Sequence, residues 1–303
     1  MIRERTTFVL GAGASAPFGF PSGQALASQV VQTFRQGNDE KVGLLQELGY
    51  DRKDLSAFAE ALQRSGKTSV DAFLEYRADM APIGKAAIAA CLIPYEVESR
   101  FYQDKTADEN WYHWLFAALN ASPATFTENQ VSIVTFNYDR SLEHYLFTCL
   151  SNSFNLDVKA SAKLVNAIPI THLHGILGRL PWQEGQGDPK PYDGAISKDA
   201  IRTGRDGIRV IHEGRYDDPP MRAAQEIINA ADRLVFLGFG YHEANLDRLR
   251  IDRNRAFSFV GGSGFGMKAL EQMRAGRLLP QGFVWGAEHW GAREFLRQRA
   301  DLT

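Results

Sequence analysis

Cysteine is almost absent: the chain carries two, Cys91 and Cys149. Two thiols build neither a four-cysteine zinc ribbon nor a disulfide framework. So sparse a use suits a reducing, cytoplasmic compartment. Cys91 lies in the run Ala-Ala-Ile-Ala-Ala-Cys-Leu-Ile, and Cys149 follows Leu142, Tyr145 and Leu146 at helical spacing. Both are expected to be small buried hydrophobes rather than reactive groups. An excess of charge of either sign is also missing, since the formal net charge is -2. That argues against nucleic acid as a direct ligand and against a membrane-surface role. No apolar run approaches the length of a membrane span. The start, Arg3-Glu4-Arg5 and then Phe8-Val9-Leu10, passes straight into glycine and proline and carries an acid, unlike a secretory signal. Internal repeats and low-complexity segments are lacking as well.

What the chain does have is a globular balance, with 44% hydrophobic and 23% charged residues. Residues 6–10 are β-prone and run directly into Gly11-Ala12-Gly13-Ala14-Ser15. Ser22 is placed to cap a helix over 23–34 with Leu26, Val30, Val31 and Phe34 on one face. Residues 35–127 show helical signals, at 41–48, 54–64, 69–78, 83–103 and 109–120. Strand signals return at 131–136, 167–173, 233–237, 256–260 and near 282–286. Helices are expected between them at 140–151, 219–230, 265–275 and 290–299, with a long irregular connection over 177–219. The pattern predicts an α/β fold: a Rossmann-like parallel sheet flanked by helices, with an inserted helical subdomain. The expected division is one α/β domain from 1–35 and 128–303, with the insertion at 36–127.

Unusual residues gather where strands end, which is where open parallel sheets bind ligands. Glycines such as Gly11 and Gly13 allow close backbone approach, and N–H groups there favour an anion; a plain tight turn is the alternative. Thr135-Phe136-Asn137-Tyr138-Asp139 ends the second strand signal. Alternation lets Asn137 and Asp139 point the same way, toward a ribose hydroxyl or a carboxamide, while Asp139 equally suits an Asx turn. His172 and His174 alternate onto one face, but no acid or thiol cluster nearby supplies a third metal ligand, so no metal is expected. His174 suits a general base, and His172 a structural role. The remaining histidines, at 113, 144, 212, 242 and 289, form no constellation. Gly238-Phe239-Gly240 and Gly261-Gly262-Ser263-Gly264 close two further strands.

Taken in order, Gly11 to Ser15, Thr135 to Asp139, His174-Gly175 and Gly238 to Gly240 resemble the motifs of the sirtuin-like superfamily, across residues 6–265. The run from Gly11 through Pro21-Ser22-Gly23 and the phrase Ser69-Val70-Asp71-Ala72-Phe73-Leu74-Glu75 look like bacterial sirtuin-like antiphage proteins, such as Thoeris-type NADase modules. The resemblance implies that NAD is the substrate and that the nicotinamide–ribose bond is cleaved, giving nicotinamide and ADP-ribose or a cyclic form. It implies that Gly11, Ala12, Gly13, Ala14, Ser15 and Pro21 hold the nucleotide, with Asp139 at the carboxamide. Gly238, Gly240, Gly262 and Ser263 would lie near the adenosine half. Asn137 and His174 would be catalytic, acting on ribose hydroxyl or water. A regulatory protein partner or a homo-oligomer would control such an activity. The chain departs from deacylases of that superfamily in lacking the zinc module, in having Phe136 where they have Gln, and in Ser22-Gly23-Gln24 after Pro21. The alternatives are a non-catalytic NAD or ADP-ribose sensor, and an ADP-ribosyl transferase or zinc-free deacylase.

Overall fold

The structure, a computed structural model, describes residues 1–37, 39–103, 109–119, 121–210 and 218–302. Six parallel strands form one sheet: β1 (Thr6–Leu10), β2 (Val131–Thr135), β3 (Ile170–His172), β4 (Arg233–Leu237), β5 (Phe259–Gly262) and β6 (Val284–Trp285). Their order is β3-β2-β1-β4-β5-β6. This is the doubly wound Rossmann order, in which the chain reverses direction across the sheet between β1 and β4.

Helices of the first half are α1 (Gly23–Gln36), α2 (Glu40–Glu47), α3 (Arg52–Arg64), α4 (Val70–Leu74), α5 (Ala81–Leu92) and α6 (Trp111–Ala118). In the second half come α7 (Ser141–Phe154), α8 (Val158–Asn166), α9 (Lys198–Gly207), α10 (Pro219–Ala230), α11 (Glu243–Leu249), α12 (Ala269–Gly276) and α13 (Ala292–Arg299). The α1 cap is as expected: the Ala25 N–H donates to Ser22 Oγ at 3.2 Å. Side-chain alternation along the strands sorts the helices into two layers. Phe8, Leu10, Ile133, Val235 and Leu237 share one apolar cluster with α1, α3, α5, α6, α7 and α13. Val9, Val134, Leu234, Phe236 and Val260 pack against α10, α11 and α12 on the other face. The helical segment between β1 and β2 therefore shares its core with the sheet. Trp111 of α6 packs on Phe8 of β1, with ring centroids 6.4 Å apart.

Several elements differ from the sequence expectations. Helix α4 is five residues long, because Ser69 caps it and the chain turns away after Leu74. The expected helix over 83–103 ends at Leu92 and continues as short 3-10 turns, the first holding Pro94, which cannot extend an α-helix. The 177–219 connection contains α9, an amphipathic helix capped by Ser197 that buries only Ile201 and Gly204. Residues 211–217 of that connection, His212 among them, and the last residue of the 109–120 helix lie outside the described residues. Cys91 is buried, but Cys149 is only half-buried. The first part of the connection, from Gly178 to Pro191, is anchored by a buried arginine. Arg140 is fully buried and donates from Nη1 to the carbonyls of Gly178 and Lys190, at 2.9 and 2.7 Å, and from Nη2 to that of Pro191. Its Nε and Nη2 form a two-pronged pair with the buried Glu96, at 2.8 and 2.6 Å. Among the described residues no helix is long and apolar enough to cross a membrane.

Candidate functional site at the β1–β4 switch point

Strand register places the singled-out residues along one edge. Leu10 pairs with Thr135 on one side and Leu237 on the other, Thr135 pairs with His172, and Phe236 pairs with Gly262. The residues just beyond, Gly11, Asn137, His174, Gly238 and Ser263, consequently emerge together.

The glycine loop is wedged against the end of β4. The Gly11 N–H donates to the Leu237 carbonyl at 3.1 Å, and the Gly13 N–H to the Gly238 carbonyl at 2.9 Å. A Cβ on Gly11 would lie 2.6 Å from the Gly238 carbonyl oxygen, and one on Gly13 would lie 2.8 Å from Gly238 Cα. These glycines are demanded by the approach of two backbones, whatever else they serve. The Ala14 and Ser15 N–H groups close tight turns onto Gly11 and Ala12. Four of the five N–H groups from Gly11 to Ser15 are thus committed within the chain. Pro21 stands half-buried at the far end of the loop, just before the α1 cap. Gly240 and Gly13 are exposed on the rim. The Gly238 N–H donates to Ser263 Oγ at 2.9 Å, and the Tyr241 hydroxyl donates to the Ser263 carbonyl at 3.0 Å. Gly262 leaves room for that Tyr241 hydroxyl, which a Cβ would meet at 2.2 Å.

Asn137 and Asp139 do converge, and they converge on Ser15. The Asn137 amide donates to the Gly11 carbonyl at 3.0 Å and to Ser15 Oγ at 3.1 Å. The Ser15 hydroxyl donates in turn to Asp139 Oδ2 at 2.7 Å. Asp139 Oδ1 accepts from the Ser141 hydroxyl and, at 3.2 Å, from the Ser141 N–H, which is the Asx turn. With the Ser141 proton so used, the Tyr112 hydroxyl donates to Ser141 Oγ at 2.7 Å. The Trp111 indole adds a bond to the Ala14 carbonyl at 2.8 Å. Burial pushes the Asp139 carboxyl above the usual carboxylate range, and the Ser141 and Ser15 hydrogen bonds oppose that. The network ties the glycine loop to the end of β2 and leaves Asn137 Oδ1 as the amide's uncommitted atom.

The two histidines have different partners. His172 Nδ1 meets the Asn137 carbonyl at 2.9 Å, and Nε2 meets Glu143 Oε1 at 2.7 Å. Both partners are acceptors, so the ring is a doubly donating imidazolium. Burial disfavours that charge, but the Glu143 carboxylate and the two hydrogen bonds outweigh it and raise the His172 value. His174 lies two residues past β3, buried between the rings of Phe136 and Tyr138 at centroid distances of 5.8 and 5.7 Å. Its carbonyl accepts from the Arg209 N–H at 2.8 Å. Gly175 follows with φ +71°, a left-handed conformation that turns the chain away. The imidazole Nδ1 is buried without a hydrogen-bond partner. Burial pushes His174 below its ordinary value, with Asp71 opposing, so the neutral ring is favoured.

Sequence reasoning gave no role to three groups here: Asp71 and Glu75, one turn apart across the α4 end and singled out only as part of a motif, and Arg248 of α11. Arg248 forms a buried ion pair with Glu75 and donates to Asn245 Oδ1 at 3.0 Å. The i, i+4 spacing of Asp71 and Glu75 was a visible signal. Arg248 carries none, because its partner lies far away in sequence. Among the described residues no cluster of three His, Cys, Asp or Glu side chains could hold a metal ion. Two open clefts of about 550 and 460 Å³ lie elsewhere, one along α1 and α3 and one beside α6 and α13. No strand-end residue lines either cleft, and their walls carry no titratable constellation, so the chemistry points to the sheet edge instead. In comparison with known proteins, no family model matches the chain and no curated protein matches it.

Proposed function

We propose that this protein is an NAD glycohydrolase that cleaves the nicotinamide–ribose bond. The observation that carries the reading is that one edge of a doubly wound parallel sheet carries a glycine loop at the switch point, Asn137 hydrogen-bonded to that loop, and a neutral buried His174 two strands away beyond β3. Sheets of this order bind dinucleotides at that crevice. Gly13, Gly240 and His242 are exposed on this rim, which leaves the edge open to a dinucleotide. Cleavage breaks the bond from ribose C1′ to the nicotinamide nitrogen, and the electron pair leaves with neutral nicotinamide. The ribosyl cation then takes water, or a hydroxyl of the same molecule for a cyclic product. The nucleophile's proton passes to the His174 imidazole, and Asn137 Oδ1 orients the attacking oxygen. The aromatic walls of Phe136, Tyr138 and Phe239 keep stray water away. The natural setting of such an activity is antiphage defence in the cytoplasm, held in check by a protein partner or by self-association.

Nicotinamide release by the purified protein, followed by chromatography beside Asn137→Ala and His174→Ala, tests the reading. Each variant should lose about 10²–10⁴-fold in turnover while staying folded. Unaltered release from both would overturn it. The commitment of the loop N–H groups and of both Asp139 oxygens favours a second reading, a nucleotide-binding module without turnover. That reading expects tight NAD or ADP-ribose binding, no release, and an effect of His174→Ala on affinity alone.

A further inference from the structure

Two buried polar atoms on opposite sides of the site face each other without hydrogen bonds. They are Asp71 Oδ1 of α4 and His174 Nδ1 beyond β3, 3.9 Å apart. Neither is explained by the loop network of Ser15, Asn137 and Asp139. Asp71 does not cap its helix, since Ser69 Oγ does so by accepting from the Ala72 N–H at 3.1 Å. Helix α4 is nonetheless held in place, because Glu75 pairs with Arg248 across to α11. Its inner face is apolar, with Val70, Phe73 and Leu74 in the core. The Asp71 side chain is 27% exposed, yet its Oδ1 is buried without a partner, which is an unfavourable arrangement. An arrangement of this kind marks a site held ready for a proton.

We propose that Asp71 is the positioning residue of His174, accepting Nδ1–H so that the Nε2 lone pair points to the substrate. This rests on the reading of His174 as the proton acceptor. A gap of 3.9 Å is long for a hydrogen bond, but catalytic pairs are often loose in the free enzyme and tighten in the complex. When water attacks ribose C1′, its proton moves to Nε2 and the ring becomes an imidazolium. Asp71 stays ionised, keeps the Nδ1 proton at its oxygen and stabilises the new charge. Among the described residues, the charged groups that act on the ring are Asp71 and Glu75 from α4 and Arg248 from α11, and a backbone hydrogen bond at Arg209, after α9, favours its protonated form. Burial lifts the Asp71 carboxyl, and the adjacent His174 and Arg248 counter it. Arg248 thus does two things: it fastens α4 and favours the Asp71 anion. The sequence places the acid 103 positions before the histidine, so only the fold brings the pair together.

The test is nitrogen NMR of histidine-labelled protein together with steady-state kinetics, on wild type, Asp71→Asn and Asp71→Glu. Wild type should show His174 as the Nδ1–H tautomer. Asp71→Asn should lower its titration midpoint and disturb the tautomer, and Asp71→Glu should restore most of both. In turnover, Asp71→Asn should lose about 10²–10⁴-fold in kcat with KM little changed, and the acid limb of the pH profile should move with the midpoint. A folded Asp71→Asn protein whose His174 keeps its tautomer and midpoint overturns the proposal, whatever the kinetics. Turnover lost in His174→Ala but kept in Asp71→Asn overturns it too, and leaves the glycohydrolase reading standing. A His174 tautomer that depends on Asp71 in a protein that never releases nicotinamide removes the glycohydrolase reading, and with it Asp71's part in catalysis.

Discussion

Gly238→Ala should be among the most damaging single-methyl additions to this chain, while Gly240→Ala, two residues away, should be nearly silent. Gly238 has φ +55°, and a Cβ there would lie 1.9 Å from the Ala14 nitrogen and 2.1 Å from the Gly13 carbonyl carbon. Those are backbone atoms of a loop already tied to β2 through Ser15, so nothing flexible can yield. The left-handed conformation costs a residue with a Cβ about 1–2 kcal/mol. Overpacking against fixed neighbours adds about 1–3 kcal/mol. The sum, about 2–5 kcal/mol, should lower the melting midpoint by roughly 3–8 °C in a chain of this size. At Gly240 the only neighbours among the described residues are ring atoms of the exposed His242, 3.2 Å from the added methyl. That ring can swing aside, so the change should stay within about 0.5 kcal/mol. Thermal unfolding by circular dichroism reads both variants. Equal midpoints for the two would refute the wedge between the β1 and β4 loops, and with it the account of why these glycines stand where they do. The same variants should separate in another way: Gly238→Ala should lose nucleotide binding together with stability, and any loss of binding in Gly240→Ala should come without a loss of stability.

Removing Arg140 should uncover the buried Glu96 and three carbonyls. Arg140→Met is expected to cost about 3–5 kcal/mol in urea unfolding, and a loss below about 1 kcal/mol would show the cluster to be dispensable. Ser22→Ala should cost about 1 kcal/mol through loss of the α1 cap, with no change in the denaturant slope. The His172–Glu143 pair predicts a pH dependence. His172 sits above its ordinary value in the folded protein, so its contribution is complete below the unfolded value and fades as pH rises through the folded one. The stability gap between wild type and Glu143→Gln should accordingly be widest in acid and shrink toward alkaline pH. A gap that widens with pH would contradict the imidazolium assignment.

Much of the scaffold is local information. The strands expected at 6–10 and 233–237 are found as Thr6–Leu10 and Arg233–Leu237, because short, β-prone, largely apolar runs that stop at glycine suit strands covered by helices on both faces. Helices between them imply parallel pairing, and parallel pairing puts all strand ends on one edge. That is why Gly11, Asn137, His174 and Gly238 could be picked out together. Helices α8, α9 and α11 escaped notice, the last two for a physical reason. Helix α11 has only seven residues, and α9 has a composition of glycine and charge that resembles a loop until α5 packs on it. What only tertiary structure decided is the pairing across distance. Arg248 finds Glu75 across 173 positions, Trp111 finds the Ala14 carbonyl across 97, and Asn137 finds Gly11 across 126. Periodicity and capping report on neighbours within a few residues along the chain. Which acid faces which base is set by how helices lie over the sheet edge, and no local pattern in the sequence carries that.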